Sequence, residues 1–195
     1  MESQTIPLHS PLELTLELTD EQFFQLCTDN RDLRFERTAS GGLIIMPPTG
    51  SETGRRNSDL NFQLKAWSRQ NNLGVVFDSS TGFKLPDGSD ISPDAAWVRR
   101  DRWDALTAEE KKKFAPICPD FVVELRSTTD SLEKLRAKIK VYVKNGARLG
   151  WLLDRKNRKV EISRQGREVE ILDEPATLSG EDVLPGFVLD LTDIF

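Results

Sequence analysis

One short apolar run with a charge inside it stands out from the hydrophobic and polar pattern of this chain. Phe121-Val122-Val123-Glu124-Leu125 is β-branched and aromatic, the composition of a buried strand, and Arg126 follows at once. Alternation puts Asp120, Val122, Glu124 and Arg126 on one side and Phe121, Val123 and Leu125 on the other. A carboxylate on a core strand costs roughly several kcal/mol of desolvation unless a cation, a metal or hydrogen bonds offset it. The next segment changes period. Leu132, Leu135, Ile139 and Tyr142 recur at helical spacing, after the capping-box form Asp130-Ser131-Leu132-Glu133 and before the stop Asn145-Gly146, which predicts a helix over 130–145.

The same reading applied upstream predicts a short helix capped by Thr19 or Asp20, with Phe23, Phe24, Leu26 and Cys27 apolar. Leu33 to Arg37 and Leu43 to Met46 read as a hairpin across Ala39-Ser40-Gly41-Gly42. Ser51 is placed to cap a long helix reaching about Asn71, with Leu60, Leu64 and Trp67 on its buried face and Glu52 in its first turn. Val75 to Phe77 and Thr81 to Leu85 read as strands, then Pro86-Asp87-Gly88 turns the chain back into Ile91 to Val98. Short helices are expected between Arg99 and Lys113. A buried strand is expected at Leu149 to Leu153, a hairpin of Lys159–Ile162 with Glu168–Leu172, and a packed-down end from Val183 to Phe195. Residues 1–14 read as a flexible leader and 15–195 as one domain. This element order describes an α/β (α+β) fold, a mixed central sheet flanked by helices with extra N-terminal and C-terminal hairpins.

Composition narrows the chemistry. Charged residues make up 30% and the apolar set 37% of 195 residues, ordinary for a folded domain. The net charge of −5 argues against a dedicated non-specific nucleic-acid binder, though not against an enzyme touching nucleic acid through basic loops. No apolar run approaches membrane-spanning length, and a cytoplasmic location is expected. The one histidine, His9, lies between prolines in the leader, which removes Ser-His-Asp and Cys-His catalysis from consideration. Cys27 and Cys118 have no metal-binding spacing.

What remains is carboxylate chemistry. Asp94 follows Pro93 at the head of an apolar stretch, and Glu124 lies in the central strand. If these two segments are neighbours, two acids converge on one sheet face. Mg²⁺ (magnesium) asks for little more, since it takes one or two carboxylates and leaves its other positions to water and phosphate. That is the equipment of metal-assisted phosphodiester hydrolysis. Arg126 can stabilise charge but cannot act as a base; Lys138, on the helix face with Lys134 and Tyr142, is the better placed cation for steering a water.

The series Ser92-Pro93-Asp94-Ala95-Ala96-Trp97-Val98, Pro119-Asp120-Phe121-Val122-Val123-Glu124-Leu125-Arg126-Ser127, Lys138 with Tyr142, and Gly146 through Gly150-Trp151-Leu152-Leu153-Asp154 resembles the PD-(D/E)xK nuclease superfamily. More narrowly it is similar to the Uma-two family of restriction-endonuclease-like proteins, over about residues 15–190. The resemblance implies a restriction-endonuclease-like core acting as a DNA endonuclease. It implies Asp94 and Glu124 as metal ligands for Mg²⁺ or its substitute Mn²⁺, Lys138 as the catalytic lysine, Glu52 as an auxiliary acid, and Arg126 and Tyr142 in supporting places. Lysine is usual at the position of Arg126, and in Uma-two-like chains it moves to the helix, here Lys138. By the same analogy a homodimer is expected, since cutting both strands needs two sites. Plainer readings stand beside these. Asp94 would cap a turn, Glu124 would ion-pair with Arg126 or Lys138, Glu52 would answer the helix dipole, and the chain would be a catalytically silent binding or assembly module. Hydrolysis of another phosphoester is a third reading.

Overall fold

The apolar runs and the turns between them sort the chain into two sheets and a two-stranded ribbon. The structure, a computed structural model, describes residues 12–46 and 48–195. Its first half holds β1 (Leu12–Thr15), α1 (Asp20–Asp29), β2 (Arg34–Arg37), β3 (Gly42–Met46), α2 (Ser51–Asn71), β4 (Gly74–Asp78), β5 (Phe83–Lys84), β6 (Asp90–Ile91) and β7 (Ala95–Arg99). Then come α3 (Arg100–Asp104), α4 (Ala108–Lys112), β8 (Phe121–Leu125), α5 (Leu132–Lys144), β9 (Leu149–Asp154), β10 (Lys159–Arg164), β11 (Glu170–Asp173), β12 (Thr177–Ser179) and β13 (Val188–Asp190).

The larger sheet has the order β11-β10-β9-β8-β7-β4. β8 and β9 run parallel, joined through α5, and the other neighbours are antiparallel. All five residues of β8 are buried, as expected for a central strand covered on both faces. The alternation read from the sequence divides the two cores. Phe121, Val123 and Leu125 pack with Leu60, Leu64 and Trp67 of α2 and with Leu184, Phe187 and Leu189 near the C-terminus. Val122 packs with Ile139 and Tyr142 of α5 and with Ala96 and Val98. Gly150 lets α5 lie close on this second face: a Cβ there would meet Ile139 Cγ2 at 3.3 Å and Val122 Cγ2 at 3.5 Å.

The smaller sheet, ordered β1-β3-β2-β6-β5, is where the sequence reading needs correction. Ile91 to Val98, read as one returning strand, is broken. β6 pairs with β2 and β5 in the small sheet, whereas β7 pairs with β4 and β8 in the large one. The break is Ser92-Pro93-Asp94, where proline has no N–H for a ladder. Likewise β4 and β5 belong to different sheets, separated by the turn at 79–80. The leader expected over residues 1–14 lies outside the described residues as far as Pro11; Leu12 to Leu14 are strand, paired with β3. Gly50, not Ser51, is the N-cap of α2. Thr19 caps α1 with Gln22 as a complete capping box, and Ser131 caps α5.

Candidate active site

The seam between the sheets brings three of the predicted residues together. Asp94 leaves the break as β7 begins, its N–H donating to the Val123 carbonyl at 3.0 Å. Its side chain is held from two elements: Oδ2 accepts from the Leu125 N–H (2.8 Å) and Oδ1 from Asn57 Nδ2 of α2 (3.1 Å). Asn61, one turn further along α2, donates to the Asp94 carbonyl at 3.1 Å. Glu124 lies on the α5 side of β8, 3% exposed.

Lys138 reaches into this spot from α5. Its Nζ donates to the Ser92 carbonyl at 2.9 Å and lies 2.8 Å from Glu36 Oε1 and 3.0 Å from Glu124 Oε1. Glu124 Oε1 is charge-paired with the Lys138 ammonium, in a contact that falls short of a well-directed hydrogen bond. Glu36, from β2 of the small sheet, also accepts from the Ser92 N–H at 3.0 Å. Both sheets and both major helices therefore contribute.

The electrostatics are unbalanced. Asp94, Glu124 and Glu36 set three negative charges against the single positive charge of Lys138 when all are ionised, an excess of two. Burial pushes the Glu124 carboxyl up to about 8; Lys138 pulls it back, while Asp94 and Glu36 push it higher. For Lys138, burial works against the ammonium, but Glu124, Glu36 and Asp94 outweigh it and hold the group above its ordinary value. Lys138 is thus a cation at neutral pH. Tyr142, fully buried, has its hydroxyl raised well above the usual range by burial and then by Glu124 and Glu36, and that hydroxyl has no hydrogen-bond partner among the described residues.

The remaining predicted residues lie elsewhere. Glu52 is 70% exposed and binds Arg56 and Arg55 on its own helix. It shares no hydrogen bond or ion pair with Asp94, Glu124 or Lys138 among the described residues. Arg126, past the end of β8, turns to Asp154 (3.0 and 2.9 Å) and to the Asp130 carbonyl (3.2 Å). Glu36, Asn57 and Asn61 escaped sequence reasoning. Their only signals were a carboxylate within the short strand Arg34–Arg37 and two asparagines at helical spacing beside Leu60 and Leu64.

These residues suit a hard divalent cation. With Glu124 ionised the cluster carries more negative than positive charge, and the buried Asn57 Oδ1 beside Asp94 has no hydrogen-bond donor among the described residues. Among the described residues no group of three or more His, Cys, Asp or Glu side chains is poised around one point. The protein's share of a Mg²⁺ shell would be Asp94 and Glu124, with water and substrate oxygens completing it.

A mixed sheet with a parallel central pair, an acid at the head of one strand, an acid inside the next and a lysine on the crossover helix define a restriction-endonuclease-like fold. Residues 20–192 match the family described as "Uma2: Putative restriction endonuclease", and the chain belongs to that family. A solved structure described as a "putative nuclease belonging to DUF820" from Anabaena variabilis ATCC 29413 superposes with a TM-score of 0.72 at 22% identity, covering 92% of this chain and 98% of that one. No curated protein matches the chain.

Proposed function

We propose that this protein is a Mg²⁺-dependent DNA endonuclease that hydrolyses phosphodiester bonds, with Asp94 and Glu124 as metal ligands and Lys138 as the catalytic cation. The observation that carries this reading is the meeting of Asp94, Glu124 and Lys138 at one seam, with a net deficit of positive charge. When bound, Mg²⁺ (or Mn²⁺) supplies Lewis-acid polarisation of the phosphate and acidifies water. The protein's own groups do the rest. The Leu125 N–H and Asn57 fix the Asp94 carboxylate in one rotamer, the kind of preorganisation on which such sites depend. Lys138, kept protonated, donates rather than accepts: it orients the attacking water and offsets charge growing on the non-bridging phosphate oxygens. The water oxygen forms a bond to phosphorus as the bond to the leaving oxygen breaks; the water's proton passes to a carboxylate of the cluster, and the leaving oxygen takes a proton from solvent and departs as the alcohol. Glu36 holds Lys138 from the far side. Glu52, bound to arginines of its own helix, is assigned no step.

One observation favours the silent-module reading: Lys138 already has three oxygens within 3.0 Å. The two readings part on metal. Calorimetric titration with Mn²⁺ is expected to show binding that Asp94→Asn and Glu124→Gln both abolish. Cleavage of duplex DNA with Mg²⁺ is expected to fall by about 10²-fold or more in Lys138→Met. Carboxylate-independent binding, or none, makes the protein a silent module. A homodimer in the cytoplasm, with one site per strand, is the assembly this function asks for. No helix among the described residues is long and apolar enough to cross a membrane.

A further inference from the structure

A cleft of about 410 Å³ opens beside the seam, lined by Arg31, Arg34, Phe35, Thr49, Ser92 and Phe114 among others. Four features set it apart. Its lining includes no aspartate or glutamate, in a chain whose net charge is −5. Arg31 donates only to the Thr28 carbonyl, at 3.3 Å, and Arg34 has no ion-pair partner among the described residues. A second cleft with basic lining, about 180 Å³ around Arg148 and Arg164, is different: there Asp182 and Glu181 pair those arginines at 2.7 and 2.5 Å. Two guanidiniums without carboxylate partners, in a cleft that serines and threonines also line, are what a phosphate diester asks for.

The second feature is position. Ser92 lines the cleft and also holds Lys138 through its carbonyl and Glu36 through its N–H. Arg34 stands two residues from Glu36, on the same face of β2. Ser92 is therefore shared by the cleft and the acid–lysine cluster. Third, its apolar walls are aromatic. Phe114 packs edge-on against Phe24 at 5.6 Å, and Phe35 and Phe114 are only partly buried, as a base-stacking surface has to be. Fourth, its one thiol is inert: burial pushes Cys27 up to about 11. The space suits one nucleotide.

We infer that this cleft seats a nucleotide of the DNA strand adjoining the scissile bond, its phosphate between Arg31 and Arg34 and its base against Phe35 and Phe114. The inference rests on the nuclease reading for its substrate but not for its measurement. The test is equilibrium binding of a short fluorescein-labelled DNA oligonucleotide in EDTA, followed by anisotropy over a range of salt. Arg31→Gln/Arg34→Gln is expected to weaken binding by about tenfold or more, and to lower the slope of log K against log salt by roughly 1 for each phosphate no longer neutralised. Glu124→Gln is expected to bind at least as well as the parent. Unchanged affinity and slope in the double variant, or no binding by the parent, overturns the cleft assignment. If the double variant is unchanged while Glu124→Gln alone abolishes cleavage, the cleft fails and the nuclease stands. If the double variant loses binding but the parent cleaves nothing with Mg²⁺ or Mn²⁺, the cleft stands and the nuclease fails.

Discussion

Glu124 is a carboxylic acid whose proton the fold itself retains. Its carboxyl sits near 8 in the folded chain, against an ordinary value of 4.5. Between those values the native state binds the extra proton, so stability falls as pH rises through the window. Without metal, urea unfolding in EDTA is expected to show a loss on the order of a few kcal/mol from about pH 5 to about pH 9, and Glu124→Gln is expected to flatten that dependence. A flat profile in the parent would remove the charge deficit from which the metal site is argued. Lys138 adds no slope in this window, since its ammonium is held above its ordinary value. At this scale the sequence was partly legible. A carboxylate in an apolar strand announces a partner, and Lys138 on the following helix was a nameable one. Arg126 was equally nameable, but β8 ends at Leu125, and the arginine turns to Asp154 on the neighbouring strand. Glu36 was not legible, because its partners Ser92 and Lys138 are far along the chain.

Among the elements, α5 places the lysine and Gly150 sets how near α5 can come. A valine at 150 would drive its methyls into Ile139 and Val122. Overpacking of this kind costs roughly 1–3 kcal/mol. Gly150→Val is expected to lower the melting temperature and, by moving Lys138 away from Glu124, to reduce kcat more than it raises KM. A drop in stability alone, with kcat intact, would mean that α5 tolerates the displacement. The helix itself was plain in the sequence, because Leu132, Leu135, Ile139 and Tyr142 keep its period. The break at Ser92-Pro93-Asp94 was not, since the same apolar letters suit one strand or two, and only the partners β2 and β8 pull the halves into separate sheets. That break creates the site, exposing the Ser92 peptide groups to Glu36 and Lys138.

For the molecule as a whole, two sheets and two helices converge on a point carrying excess negative charge, so a divalent cation should bind the folded chain in preference to the unfolded one. Mn²⁺ at about a hundred times its Kd is expected to add about 2.7 kcal/mol. For a chain of this length that corresponds to a rise of roughly 5–10 °C in melting temperature. Asp94→Asn and Glu124→Gln are each expected to lose the rise, read by calorimetry with and without EDTA; a rise that survives both places the ion elsewhere.

Local chemistry in the sequence determined the elements: the buried strand 121–125, the amphipathic helices over 51–71 and 132–144, and the acids and lysine they carry. Periodicity is a property of neighbours in the chain, and it can be read there. Only the tertiary structure decided which strand joins which sheet, that Glu36 and Asn57 complete the seam, that Glu52 and Arg126 face other partners, and that Arg31 and Arg34 line a cleft without a carboxylate. Those outcomes depend on charges and packing surfaces brought together across long separations, and no local pattern encodes such a meeting.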